Sequence, residues 1–469
     1  MPTSPGELRA LADLAFSRAA GAPLVAGNAV RVLRNGAENY PAWEQAIASA
    51  RHTIHMEMYI IHADRVGRRF LDLLSTKARE GVTVRLLYDW FGCGMSPLFG
   101  LFRQLIKAGG DVRCFNPPTP TAILGWTRRN HRKLITVDGR VTYISGLCIG
   151  QAWEGRPDRR RPPWRDTGVE ITGPAVADAE YAFAGTWKFA GGGELDPAAL
   201  ARVAHVPTAG NVSLRLIPTA PFSWSMLQLD LLVAAMARRT LWITDAYFLG
   251  HGPYIEALCR AAGDGVDVRL LLPQGSDVGW TVPVSRTLYR TLLQAGVRVF
   301  EWGGLMIHSK TAVADSRWGR IGSTNLNLTS WLGNWEIDVA IEDDRIAQTL
   351  ETHFEEDMAV SVEIVLGHRR LGGARPVGPR ARARRSARRV IRTVSAMGRS
   401  MGAAVTGNRR LEEFEFAPLL MFGALLIVIS GVTLWRPAML AWPLALLAGW
   451  TGISLVIESA TLWRGRGRQ

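Results

Sequence analysis

The chain has 469 residues, 48% of them hydrophobic, which is enough for two or more domains with sizeable cores and excludes disorder throughout. Four cysteines (Cys93, Cys114, Cys148, Cys259) are too few and too scattered for a disulfide framework and form no C-x-x-C pair, so a reducing compartment is expected. The net charge of +14 is concentrated: residues 366–410 hold thirteen Arg and no Asp, Glu or Lys, residues 411–469 balance four Arg with four Glu, and +1 is left for residues 1–365. The body therefore lacks the broad basic footprint of a nucleic-acid binder, and no nucleic-acid partner is expected.

In chain order, residues 1–27 read as a helical extension. Glu7, Arg9, Asp13 and Arg18 interrupt any apolar core a signal peptide would need, so the body is expected in the cytoplasm. Two halves that resemble each other follow, residues 28–205 and 206–365. Residues 28–61 and 211–249 each read strand, amphipathic helix, strand. "GVTVRLLYD" (81–89) parallels "GVDVRLLLP" (265–273), and "LIKAGGDVRCF" (105–115) parallels "LLQAGVRVF" (292–300). Short Val/Leu/Ile runs alternating with helices of ten or more residues predict an α/β fold with largely parallel central strands, made by duplication of one unit.

Each half delivers a His-x-Lys-x4-Asp stretch at the matching place: "NHRKLITVD" (130–138) and "IHSKTAVAD" (307–315). On a strand, residues i and i+2 point to one side, so His131 and Lys133 share a face, as do His308 and Lys310. Halves packed face to face would bring the four side chains into one cleft. Asp138 and Asp315 lie five residues beyond each lysine, on the opposite parity, and read as structural supports. A tight turn follows each motif ("SGLCIG", 145–150; "GSTNLN", 322–327), and then a carboxylate, Asp166 or Glu336. A catalytic imidazole needs a partner on its second nitrogen to fix tautomer and orientation, which makes Asp166 and Glu336 the candidates. A His-x-Lys pair is a poor cation site, because the ammonium sits beside the imidazole, and the chain has no H-E-x-x-H or clustered thiolates. No metal and no cofactor are expected.

Within the arginine run, Val390, Ile391, Val394, Met397 and Met401 recur at helical intervals, as in helices that lie on an anionic membrane surface. Residues 411–469 carry two apolar stretches, 416–435 and 438–457, each matching a hydrocarbon core at about 1.5 Å per residue. They read as a C-terminal helical membrane hairpin with a basic tail. The positive-inside rule then sets residues 1–410 on the cytoplasmic side of the inner membrane.

The duplicated motif with its Gly-Ser turn and Asn resembles the phospholipase D superfamily. Together with "WRDTGVEITGPAV", "VDVRLLLPQGSD", "GSTNLN" and "NWEIDV" it is most similar to bacterial cardiolipin synthases, over roughly residues 28–365. The resemblance implies two tandem α/β repeats with pseudo-two-fold symmetry and a phosphodiester substrate, phosphatidylglycerol. The lysines would neutralise non-bridging oxygens. His131 would attack phosphorus to give a phosphohistidine and His308 would serve as acid and then base, an assignment that the near-symmetry of the halves makes reversible from sequence alone. Ser323 and Asn325 would line the phosphate pocket, with Ser145 and Gly146 their first-half counterparts. Two departures stand out: Cys148 where the family usually has Asn, and an apolar hairpin at the C-terminus rather than the N-terminus. Hydrolysis to phosphatidate, a nuclease of the same superfamily and a scaffold with a retired site are the competing readings.

Overall fold

The computed structural model describes residues 4–117, 128–156, 161–195, 206–366 and 450. The chain divides into two compact units: Met1–Pro118 with Leu124–Leu366, and Thr119–Ile123 with Gly367–Gln469. The first contains both halves of the repeat. The arginine run and the two C-terminal apolar stretches lie outside the described residues, apart from Trp450. Among the described residues no helix is long and apolar enough to cross a membrane.

The first half contributes β1 (Val25–Arg34), β2 (Thr53–Met58), β3 (Thr83–Asp89), β4 (Asp111–Phe115), β5 (Lys133–Val137), β6 (Val141–Ser145) and β7 (Thr167–Thr172). The second contributes β8 (Val212–Thr219), β9 (Thr240–Thr244), β10 (Asp267–Pro273), β11 (Arg298–Trp302), β12 (Thr311–Ala314), β13 (Trp318–Gly322) and β14 (Glu336–Glu342), with β15 (Ser361–Ile364) added at the edge. All belong to one sheet. Read outward from its middle, the first half runs β1-β7-β6-β5-β2-β3-β4 and the second runs β8-β14-β13-β12-β9-β10-β11. The two orders are the same, so the duplication seen in the sequence is a duplication of topology.

Two expectations are corrected. The halves join edge to edge, through the antiparallel pair β1–β8, rather than face to face alone. The parallel ladders, β2–β3–β4 and β9–β10–β11, lie toward the outside, while every ladder from β5 through to β12 across the middle is antiparallel. The reason is connection length. Long connections with one or two helices link the outer strands and allow parallel crossovers, whereas three-residue turns join β5 to β6 and β12 to β13 as hairpins.

The helix Pro5–Ala20 opens with a reciprocal capping box between Ser4 and Glu7 and ends at Gly21 in the left-handed region. It packs on the second half: Ala20 and Ala22 join the core formed by Met226, Leu229, Ile243 and Leu258. A separate apolar layer is shared across the seam, with Val169 and Ile171 of β7 beside Leu214, Ile337, Val339 and Ile341 of β8 and β14. Each such side chain contributes about 1.5–3 kcal/mol over exposure. Charged groups also stitch the seam. Arg165 donates to Asp357 at 2.8 Å, and Arg132, itself buried, donates to the carbonyls of Glu336 (2.9 Å) and Thr219 (2.8 Å).

Candidate active site

The histidines precede their strands: β5 begins at Lys133 and β12 at Thr311. Each sits instead in an extended segment bridged to the opposite half. The N–H of His131 donates to the carbonyl of Trp335 at 2.8 Å, and that of His308 to the carbonyl of Arg165 at 2.7 Å. These bridges place each histidine beside the residue that follows its partner. His131 Nδ1 therefore lies 2.9 Å from Glu336 Oε2, and His308 Nδ1 lies 2.7 Å from Asp166 Oδ2. The carboxylates are crossed, each half supplying the one that orients the other half's imidazole.

All six side chains are buried. Lys133 Nζ donates to the carbonyl of His131 at 2.5 Å, and Lys310 Nζ donates to that of His308. The two motifs act on one another electrostatically: His131 feels Lys310 as well as Lys133, and His308 feels Lys133 as well as Lys310. Burial, reinforced by the lysines, lowers both imidazoles and pushes His308 down to about 4, against the opposing pull of the carboxylates. Burial also lowers both ammoniums, Lys310 to about 8. Burial alone would raise the carboxyls, but His308 and Lys310 hold Asp166 below the usual range, and His131 and Lys133 do the same for Glu336. At neutral pH the proton of each pair therefore rests on Nδ1, the carboxylate is ionised, and Nε2 is left as a lone-pair nitrogen.

Other positions divide by half. Ser323 Oγ donates to Glu336 Oε2 at 2.6 Å, so its hydroxyl serves the carboxylate rather than an open phosphate pocket. Asn334 Nδ2 reaches the other oxygen of Glu336 at 3.2 Å. Gly146 stands where Ser323 stands in the second half, and a Cβ there would lie 2.2 Å from Asp166 Oδ1. Asp166 instead accepts from the Trp153 indole at 3.0 Å. Ser145 turns its hydroxyl to the carbonyl of Leu147 at 3.3 Å, and Asn325 Nδ2 points to Ser330 Oγ at 3.5 Å. Burial raises the Cys148 thiol, against the pull of both lysines. Asp138 and Asp315 lie at the remote ends of β5 and β12. Each accepts three backbone N–H bonds, from residues 51–53 and 238–240, at 2.7–3.0 Å.

Sequence reasoning missed Tyr59 and Tyr247. Tyr59 meets His131 edge to face at 4.7 Å between centroids, with Lys133 Nζ 5.1 Å above its ring. Tyr247 meets His308 at 5.8 Å, with Lys310 Nζ at 5.7 Å. They occupy matching places in "EMYII" and "DAYFL", just past β2 and β9, and aligning the repeats would have found them. Among the described residues no group of three His, Cys, Asp or Glu is placed to hold a metal ion.

The family model described as "Cardiolipin synthase, PLD-like domain" matches residues 44–151 and 233–358, one segment per half. A cardiolipin synthase of Listeria innocua is 31% identical over 351 residues, which is 73% of this chain and 72% of that protein. The probable cardiolipin synthase YwiE of Bacillus subtilis is 31% identical over 341 residues, 71% of this chain and 67% of that protein. Among solved structures, phosphatidylserine synthase from Haemophilus influenzae Rd KW20 superposes with a TM-score of 0.57 at 14% identity, covering 75% of this chain and 92% of that one, a likeness of fold. With two matched PLD-like segments and relatives at this identity over most of their length, the chain belongs to the PLD-like cardiolipin synthase family and is an enzyme of the phospholipase D superfamily.

Proposed function

We propose that the protein is a phosphatidyltransferase that makes cardiolipin from two molecules of phosphatidylglycerol. The observation that carries this reading is the crossed pair of imidazole–carboxylate couples with a buried lysine beside each. Two ammoniums suit the non-bridging oxygens of one phosphodiester, and two imidazoles with free Nε2 atoms suit its two exchanging oxygens. The names of the relatives support the lipid.

In the proposed sequence, His131 Nε2 attacks phosphorus and the bond to the headgroup glycerol breaks. That oxygen takes a proton from His308 Nε2, releasing glycerol and leaving a phosphatidyl group on His131. The headgroup hydroxyl of a second phosphatidylglycerol then gives its proton to His308 and attacks phosphorus, and the P–N bond breaks to release cardiolipin. His308 must be protonated for the first step, although the free site holds it near 4. The bound phosphodiester brings a negative charge between the two lysines that depress it, and so raises its pKa when the acid is needed. The arginine run and the C-terminal apolar stretches support a location at the inner membrane with the repeats on the cytoplasmic face.

Thin-layer analysis of phosphatidylglycerol vesicles incubated with the full chain tests the reading. Cardiolipin with free glycerol is expected. Phosphatidate alone would make the enzyme a phospholipase D, and unchanged lipid with degraded DNA would overturn the lipid reading.

A further inference from the structure

We propose that the mouth of the site docks onto a lipid bilayer through two apolar flaps, residues 91–99 and 278–284, one supplied by each repeat. The proposal rests on the phospholipid substrate argued above.

The first flap follows β3. Asp89, the last residue of β3, accepts the N–H groups of Phe91 and Gly92 and also that of Asn130, the residue before His131. Gly92 presses on Tyr59 so closely that a Cβ would lie 2.1 Å from the Tyr59 carbonyl oxygen. Tyr59 is the ring against His131. The flap is thus tied to the site at its base, while its outer part faces solvent: Met95 is 59% exposed, Leu98 73% and Phe99 83%.

The second flap follows β10, the counterpart of β3 in the other repeat. Tyr247, the ring against His308, donates its hydroxyl to Asp277 at 2.7 Å. Immediately beyond, Trp280 is 60% exposed and Val284 43%. Each half therefore hangs an exposed apolar segment on the tyrosine that touches its own histidine. Exposed apolar groups scattered singly need no explanation, but an exposed apolar segment tied in each repeat to the tyrosine beside its histidine does.

Two further features favour a bilayer over a protein partner. Phe222 and Trp224, just past β8, are 63% and 46% exposed and hold φ of +68° and +57°, a left-handed conformation that is costly for aromatic residues. Exposed Arg128, two residues before Asn130, lies with its guanidinium 5.1 Å from the Phe222 ring. Aromatic rings with a cation beside them match the zone where acyl chains give way to anionic headgroups. The reacting phosphate of a phospholipid lies in that zone, so a mouth resting there receives its substrate without lifting the acyl chains into water.

The test compares one lipid in two physical forms: phosphatidylglycerol in vesicles with phosphatidylcholine, and dihexanoyl phosphatidylglycerol kept monomeric. In the full chain, the double variant Phe99→Asp with Trp280→Asp is expected to lose vesicle turnover about tenfold or more, with monomer turnover within about twofold of the parent. Unchanged vesicle turnover would overturn the proposal, and so would an equal loss on both forms, which would make these residues part of the site. A parent chain inert toward both lipids would instead refute the phospholipid reading itself. Independently of activity, an environment-sensitive dye on Phe99→Cys or Trp280→Cys should shift to the blue when vesicles are added, while one on Tyr181→Cys, an exposed position on the helix Val176–Phe189, should not. Three identical responses would overturn the proposal.

Discussion

Around His131 the orienting carboxylate is a glutamate, steadied by a serine hydroxyl and an asparagine amide. Around His308 it is an aspartate, steadied by a tryptophan indole and a backbone N–H. Glu336 reaches one methylene further than Asp166, and the room that Ser323 fills beside it is closed in the other half, where Gly146 leaves no space for a Cβ. The strand order, the tyrosine, the lysine and the crossed hydrogen bond are the same on both sides. The duplication has kept the relation between imidazole and carboxylate while letting the surrounding residues diverge, which leaves the two imidazoles chemically unequal.

The sharpest way to break this comparison is to remove either ring. His131→Ala and His308→Ala should each lower kcat by about 10⁴-fold, because nucleophile and acid act as a unit. Activity retained in one of them at more than about a hundredth of the parent would show that a single half suffices. Next come the carboxylates. Glu336→Gln and Asp166→Asn should each cost about 10²-fold in kcat. Nitrogen NMR should show Glu336→Gln altering the tautomer of His131 and leaving His308 alone, with the reverse for Asp166→Asn. Uncrossed responses would contradict the pairing.

An exchange of fittings sharpens the comparison further. Gly146→Ser has no room beside Asp166 and should destabilise the fold by about 2–3 kcal/mol, read as a lowered denaturant midpoint. Ser323→Gly meets no clash but gives up the hydroxyl's bond to Glu336 and the one it accepts from the Ile337 N–H, and should cost about 1–2 kcal/mol. Equal losses would mean the halves are interchangeable after all. The smallest effect expected is in pH. In the free enzyme both imidazoles are depressed, His308 to about 4, so the singly protonated pair should be most populated in acid and kcat/KM should peak there. In the complex the phosphate anion raises both imidazoles, so kcat should peak at a higher pH. Above about 8 Lys310 of the free enzyme loses its proton and kcat/KM should fall, whereas in the complex the same anion holds that proton longer and kcat should fall at a higher pH. A kcat/KM still climbing at pH 9 would contradict two depressed imidazoles beside a charged lysine.

Much of this was legible in the sequence, because it lies in local pattern. "GVTVRLLYD" and "GVDVRLLLP" announce β3 and β10, and the two His-x-Lys-x4-Asp stretches announce the site. The direction of the central ladders was misread because a Val/Ile-rich strand looks alike in either ladder, and the turns between β5 and β6 and between β12 and β13 were given too little weight. The crossing was not legible at all. His131 and Glu336 are 205 positions apart, and which carboxylate meets which ring is decided by the pair β1–β8 at the seam, a register that no local pattern encodes. The role of Ser323 was hidden for the same reason, since its partner is fixed by strand pairing rather than by spacing.

The swapped carboxylates carry one more consequence. A single repeat standing alone would hold a histidine with no orienting group and a carboxylate with no ring to orient. The candidate site is a property of the pair, and the two repeats share each other's damage: a lesion at the carboxylate of one reaches the imidazole of its neighbour.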